Sequence, residues 1–243
     1  MPVIAVINRK GGSGKSTLAT HLAACYARQG HTVMLGDSDR QQSSRGWLRR
    51  RNPALPAIQS WTPDHRQSMR APPGVSHVIL DTPGGLHGLD LARIVMSADL
   101  ILMPVAASVF DRESAAECLS ELQSLPKVSS GRCPVGAIGM RIDRRTHGAQ
   151  TLQAWADGLE LPLLGVLRET QIYVRALERG LTVFDLMPSQ VRPDLDEWEP
   201  ITGWLADRLA ESGREPIHDA PAVGTNPVPP ADGPRNSTGA PGM

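Results

Sequence analysis

Two lysines, three hydroxyl residues and three glycines crowd into Arg9-Lys10-Gly11-Gly12-Ser13-Gly14-Lys15-Ser16-Thr17. Those types at that spacing suit the binding of a phosphate chain. Gly11, Gly12 and Gly14 let the backbone bend tightly and turn its N–H groups inward. Lys15 offers a cation to the β- and γ-phosphates, and the Ser16 hydroxyl offers a ligand to Mg²⁺. Further on, His77-Val78-Ile79-Leu80-Asp81 is an apolar run ending in a carboxylate, suited to the hydration shell of the same ion. Two more carboxylates, Asp37 and Asp39, follow the apolar run at residues 32–36.

These residues need a scaffold that brings them together. The apolar run at residues 3–7 predicts a strand leading into the glycine turn. The pattern Leu18, Leu22, Cys25, Tyr26 predicts a helix leaving it, closed by Gly30. A helix starting near Lys15 adds its positive dipole end to the phosphate site. Strands follow at 32–36, 77–81, 100–105, 134–140 and 163–167, with helices at 89–97, 147–157, 171–180 and 198–211. This alternation predicts an α/β fold: a doubly wound, mostly parallel sheet with helices on both faces and right-handed crossovers. Acidic residues at strand carboxyl ends sit where such sheets build their sites.

The usual phosphate-loop pattern places glycine six residues before the lysine, where this chain has Arg9. The run Lys10 to Thr17 instead resembles the deviant Walker A motif of the ParA/MinD family of ATPases, a branch of the P-loop NTPases. The resemblance covers roughly residues 1 to 210 and extends to two further motifs. Asp37 to Gln42 is similar to the family's Asp-x-Asp-Pro-Gln signature, with Arg40 in place of proline, and 77–85 is similar to its Walker B segment. It implies nucleotide contacts from Lys10, Gly11, Gly12, Ser13, Gly14, Lys15, Ser16 and Thr17. It implies metal contacts from Ser16, Asp37 and Asp81, and a water-orienting role for Asp39. Lys10 would reach across an ATP-dependent homodimer to the partner's nucleotide. Residues 104–111 resemble a family segment that precedes a helix at the dimer face, and Asp111 reads either so or as a helix cap. Similarity to the ParF-type branch places Arg141 beside the adenine. It also suggests Arg168, Arg175 and Arg179 as contacts to DNA without sequence preference.

The implied activity is a weak ATP hydrolase requiring ATP and Mg²⁺ and stimulated by a partner protein on a cargo. That cargo would be a plasmid, a chromosome or a protein compartment such as a carboxysome, positioned over nucleoid DNA. The alternative is a nucleotide-dependent switch or scaffold that acts on a protein partner without binding DNA.

Composition limits the other possibilities. The chain has 243 residues, enough for one sizeable domain, expected at residues 1–211. Its 25 basic and 25 acidic residues cancel, so any nucleic-acid contact must come from a local patch. Ser43 to Arg51, with four arginines around Trp47 and Leu48, reads either as such a patch or as a solvated helix face. Cys25, Cys118 and Cys133 lack metal-binding spacing and suit a reducing cytosol. No apolar run approaches the ~20 residues of a membrane span. From Ser212 onward there are seven prolines and five glycines with almost no large apolar residue, which predicts a disordered tail at 212–243 unable to form a membrane-binding helix.

Overall fold

The structure, a computed structural model, describes residues 1–62 and 74–213. The first half runs β1 (Val3–Val6), α1 (Lys15–Arg28), β2 (Val33–Asp37), α2 (Ser43–Arg50), β3 (Ile58–Trp61), β4 (His77–Asp81), α3 (Gly88–Ser97) and β5 (Leu100–Val105). The second half runs α4 (Val109–Ser124), α5 (Pro126–Ser129), β6 (Val135–Met140), α6 (His147–Asp157), β7 (Leu163–Leu167), α7 (Gln171–Glu178), a 3-10 turn at Val183–Asp185, and α8 (Pro188–Glu211).

The strands form one seven-stranded parallel sheet in the order β3-β2-β4-β1-β5-β6-β7. Helices cover both faces. Ile4 and Val6 of β1 enter one core with α1 and α8, while Val3 and Ala5 enter the other with α3 and α4. A strand buried on both faces reads as a continuous apolar run, which is why β1, β4 and β5 stand out in the sequence. Leu18 and Leu22 of α1 are fully buried, each removal from water contributing about 2 kcal/mol. The result is the doubly wound sheet expected from the alternation of elements.

Three boundaries differ from expectation. β2 extends to Asp37, so that carboxylate belongs to the strand itself. α7 stops at Glu178, with Gly180 at φ +71° turning the chain beyond it. The last helix starts at Pro188, well before Trp198. Pro188 sits harmlessly in its first turn, and Pro193 and Pro200 lie inside the helix. Val191 leaves helical geometry (φ −131°, ψ 17°) just ahead of Pro193. The tail expected at 212–243 lies, from residue 214, outside the described residues. Among those described, no helix is long and apolar enough to cross a membrane.

Candidate nucleotide site

β1 carries the chain into the glycine turn at the carboxyl end of the sheet. Gly12 (φ +74°) and Gly14 (φ +103°) adopt backbone conformations that favour glycine, and Gly14 is the residue that opens α1. A Cβ on Gly11 or Gly12 would meet nothing within 4 Å, so the inner side of the turn is open. The turn is braced from below. The buried Asn8 accepts from the Lys10 N–H at 2.9 Å and donates to the Pro104 carbonyl at 2.7 Å. The Gly85 N–H donates to the Arg9 carbonyl at 2.6 Å. Asn8 was not singled out from the sequence. It precedes the turn as an ordinary polar residue, and only its tertiary partner reveals its role.

Lys15 is largely buried, and its ammonium donates to the Lys10 carbonyl at 3.0 Å. Burial lowers its pKa, while the charges of Asp81 and Asp39 pull the other way. Among the described residues, the Ser13 hydroxyl and Asp81 Oδ1 are buried without a hydrogen-bond partner. Buried polar atoms are ordinarily satisfied, so these two orphans mark groups shaped for something that binds.

Asp37 and Asp81 lie side by side because β2 and β4 are neighbours, with the two residues in register, and Asp39 follows two residues on. They do different work. Asp37 accepts backbone N–H groups from Asp39 and Arg45, both at 3.0 Å, and so builds the turn after β2. Burial raises its pKa. Asp81 accepts the Ser44 hydroxyl at 2.5 Å on Oδ2 and leaves Oδ1 free. Burial pushes this carboxyl up to about 6, against the pull of the Ser44 and Ser16 hydroxyls. Asp39 lies at the side of the cleft, one oxygen accepting the Gln41 N–H at 2.9 Å. A carboxylate with one free oxygen, near the Ser16 hydroxyl and below an open loop, fits a hydrated Mg²⁺ on a phosphate chain. Ser44 was missed in the sequence, where it is one polar residue among Gln41-Gln42-Ser43-Ser44.

Lys15, Ser16, Thr17, Asp39, Arg141 and Tyr173 line a single cleft of about 550 Å³. Arg141, itself at φ +57°, donates to the Gly12 carbonyl at 3.0 Å from the rim. Lys10 pairs with Asp111 at 2.7 Å. The cap of α4 is Ser108, whose hydroxyl accepts the Asp111 N–H at 3.2 Å. Asp111 therefore serves both the helix start and Lys10.

The three arginines suggested for DNA separate. Arg175 and Arg179 are exposed on and just after α7. Arg168 grips Asp194 through two bonds at 3.0 and 2.9 Å, and its backbone N–H donates to Glu197 at 3.0 Å. The bond to Asp194 raises its pKa, so it stays charged but engaged.

A parallel sheet whose first strand runs into a glycine turn, with a lysine over the turn and acids at the next strand ends, defines a phosphate-loop nucleotide-binding protein. Residues 4–183 match the family model for the CobQ/CobB/MinD/ParA nucleotide-binding domain, and the chain belongs to that family. It is 35% identical over 185 residues to a maintenance of carboxysome distribution protein A from Gloeobacter kilaueensis, covering 74% of this chain and 83% of that one. It is 29% identical over 188 residues to the chromosome-partitioning ATPase Soj of Thermus thermophilus, covering 62% and 74%. In fold it resembles the cell division protein MinD of Aquifex aeolicus, with a TM-score of 0.68 at 18% identity over 85% of this chain and 97% of that one. An ATP complex of McdA from Cyanothece aligns with a TM-score of 0.62 at 18% identity, covering 86% and 96%.

Proposed function

We propose that this chain is a ParA-type ATPase: ATP closes a homodimer, the dimer holds DNA without sequence preference, and a partner protein on the cargo triggers slow hydrolysis and release. The observation that carries the proposal is Lys10. It belongs to the glycine turn and gives its carbonyl to Lys15, yet its ammonium pairs with Asp111 and it is not among the residues that line the cleft, which leaves it available to a second subunit's site. In the dimer it would offset charge developing on the partner's transferred phosphoryl group.

Within one subunit, the amides of Gly11, Gly12, Ser13 and Gly14 cradle the phosphates, and Lys15 leaves the Lys10 carbonyl to bond them. Ser16 and Asp81 would hold Mg²⁺, with Asp37 behind them fixing the turn. When bound, that ion offsets phosphate charge. Asp39 orients the attacking water, Thr17 lies beside the phosphates and Arg141 lies toward the base. Arg175 and Arg179 carry the DNA contact, and Arg168, held by Asp194, supports α7 from behind.

Relatives named for carboxysome distribution, from Gloeobacter kilaueensis and, at 26% identity over 189 residues, from Halothiobacillus neapolitanus, favour a protein compartment as the cargo. The protein would then sit on the nucleoid in the cytoplasm.

The test is duplex binding by an Asp39→Ala variant, slowed in hydrolysis, with ATP, with ADP and with neither, at two salt concentrations. Binding that needs ATP and weakens with salt supports the reading. Absence of binding in all three states would replace it with a nucleotide switch acting on a protein partner.

A further inference from the structure

We propose that α2 and α7 form one continuous surface for the backbone of double-stranded DNA, with Arg45, Arg49 and Arg50 acting beside Arg175 and Arg179. The proposal rests on the DNA-binding reading above and extends it to an element that reading does not use.

The sequence Ser43-Ser44-Arg45-Gly46-Trp47-Leu48-Arg49-Arg50 gives α2 two faces. Ser44 and Trp47 are buried, while Arg45, Arg49 and Arg50 are exposed. Positions 45, 46, 49 and 50 are neighbours on a helix surface, so the solvent face is three arginines and a glycine. A Cβ at Gly46 would lie 3.8 Å from both Arg49 Nη2 and Arg50 Nη1. The two guanidinium groups thus flank bare backbone, an arrangement that lets a phosphate approach two forked donors. Among the described residues, neither Arg45 nor Arg49 takes part in an ion pair.

The two helices are joined into one body. Trp47 Nε1 donates to the Leu181 carbonyl at 3.2 Å, and Arg50 Nη2 to the Leu177 carbonyl at 3.3 Å. Arg51, its side chain only 4% exposed, binds both oxygens of Asp185 at 2.8 and 3.0 Å. Gly180 approaches so closely that a Cβ there would lie 2.4 Å from the Arg50 carbonyl carbon. Arg51 is therefore committed to structure and Arg50 gives one nitrogen to Leu177, while Arg45 and Arg49 are left to solvent. Across α2, α7 and Arg179 the only carboxylate is Glu178. A chain with zero net charge that concentrates arginine on one surface has a local field for a dense polyanion, and duplex DNA carries one charge per about 1.7 Å of axis.

The other end of α2 rests on the nucleotide site, through Ser44 to Asp81 and the Arg45 N–H to Asp37. One helix thus spans from the metal-site acids to the DNA surface.

The test uses the full chain with ATP and a fluorescent mixed-sequence duplex, across a series of salt concentrations. Arg45→Glu/Arg49→Glu should weaken duplex binding at least about 10-fold, in line with one to two lost phosphate contacts. Arg45→Gln/Arg49→Gln should reduce the slope of log affinity against log salt by about 2, at about 0.9 per phosphate contact. The circular dichroism spectrum and melting temperature should be unchanged in both, which establishes that they are folded. An unchanged slope in the Gln pair, with a reduced slope in Arg175→Gln/Arg179→Gln, would overturn the role of α2 and leave DNA binding intact. No duplex binding by the unaltered protein in any nucleotide state would overturn both. Preference for polyglutamate over the duplex would overturn the nucleic-acid assignment.

Discussion

Replacing His21 by phenylalanine should make the protein's stability less sensitive to acid. His21 is fully buried on α1, stacked on Trp198 with ring centroids 5.6 Å apart and tilted against Tyr173 at 4.9 Å. Nδ1 bonds the Thr17 carbonyl at 2.8 Å, and Nε2 is buried without a hydrogen-bond partner among the described residues. Burial drives its pKa from 6.5 down to about 4, outweighing the Thr17 bond and the distant charge of Asp185. The native state therefore keeps the ring neutral at a pH where the unfolded chain protonates it.

Between pH 6.5 and about 4 the unfolded state binds more protons, so stability falls as pH falls through that window. At pH 5 the loss from this one residue is about 2 kcal/mol, at 1.36 kcal/mol per pH unit over roughly one and a half units. His77, whose pKa burial also lowers to about 4, adds a similar loss that the substitution leaves in place. Phenylalanine keeps a ring against Trp198, and the Thr17 carbonyl retains the Thr20 hydroxyl at 3.0 Å. The assay is urea unfolding of both proteins at pH 7.5 and pH 5. The fixed cost of the substitution cancels, because only each protein's own pH difference is compared. The His21→Phe difference should be smaller by about 2 kcal/mol. Equal differences would refute the reasoning and show that the native imidazole accepts a proton in place.

Four other outcomes follow from the geometry. Lys15→Ala should raise the ATP Kd about 100-fold or more, since charge-assisted bonds to phosphate contribute roughly 1.5–3 kcal/mol each; calorimetry showing retained micromolar affinity would argue against the loop assignment. Lys10→Ala should leave nucleotide binding measurable and stop ATP-dependent dimerisation, so a normal ATP dimer on a sizing column would remove the cross-dimer role. Ser44→Ala should raise the Mg²⁺ concentration needed for nucleotide binding roughly 10-fold, the scale of losing a group that orients a ligand; an unchanged Mg²⁺ titration with a fluorescent ATP analogue would show that Asp81 needs no such support. Gly180→Ala should destabilise by on the order of 2 kcal/mol or more, because the site combines a positive φ with backbone contact to Arg50; a melting temperature within a degree of the parent's would contradict the tight approach.

The nucleotide site was legible where local chemistry forces the residue type. Glycine at φ +74° and +103° is a local demand, and so is an apolar strand ending in a carboxylate. His21 was within reach as well, since it falls on the stripe of Leu18, Leu22 and Cys25 and shares their burial. What stayed hidden depends on distant partners. Arg168 reads as a surface arginine until α8 folds back to place Asp194 against it. Ser44 acquires its role only when β4 lies beside β2. The start of α8 lay ahead of the helix expected at 198–211, in first turns that leave helical geometry at Val191 and are packed by distant partners such as Arg168 on Asp194.

Lys10 is held only loosely by Asp111. Its pair with Asp111 is at the surface, with side chains 37% and 15% exposed, and such pairs contribute only about 1 kcal/mol or less. Asp111 also keeps the Ser108 hydroxyl, so it is not stranded when Lys10 leaves. The pair lowers the Asp111 pKa despite the opposing effect of burial. A phosphate chain with its metal offers Lys10 more charge than one carboxylate does, in a closed interface where charge is less screened. In the proposed dimer the balance would favour transfer once a second subunit brings a nucleotide within reach, and Asp111 otherwise. Asp111 would then park Lys10 in the free subunit without locking it, and the energy driving closure would come from the nucleotide.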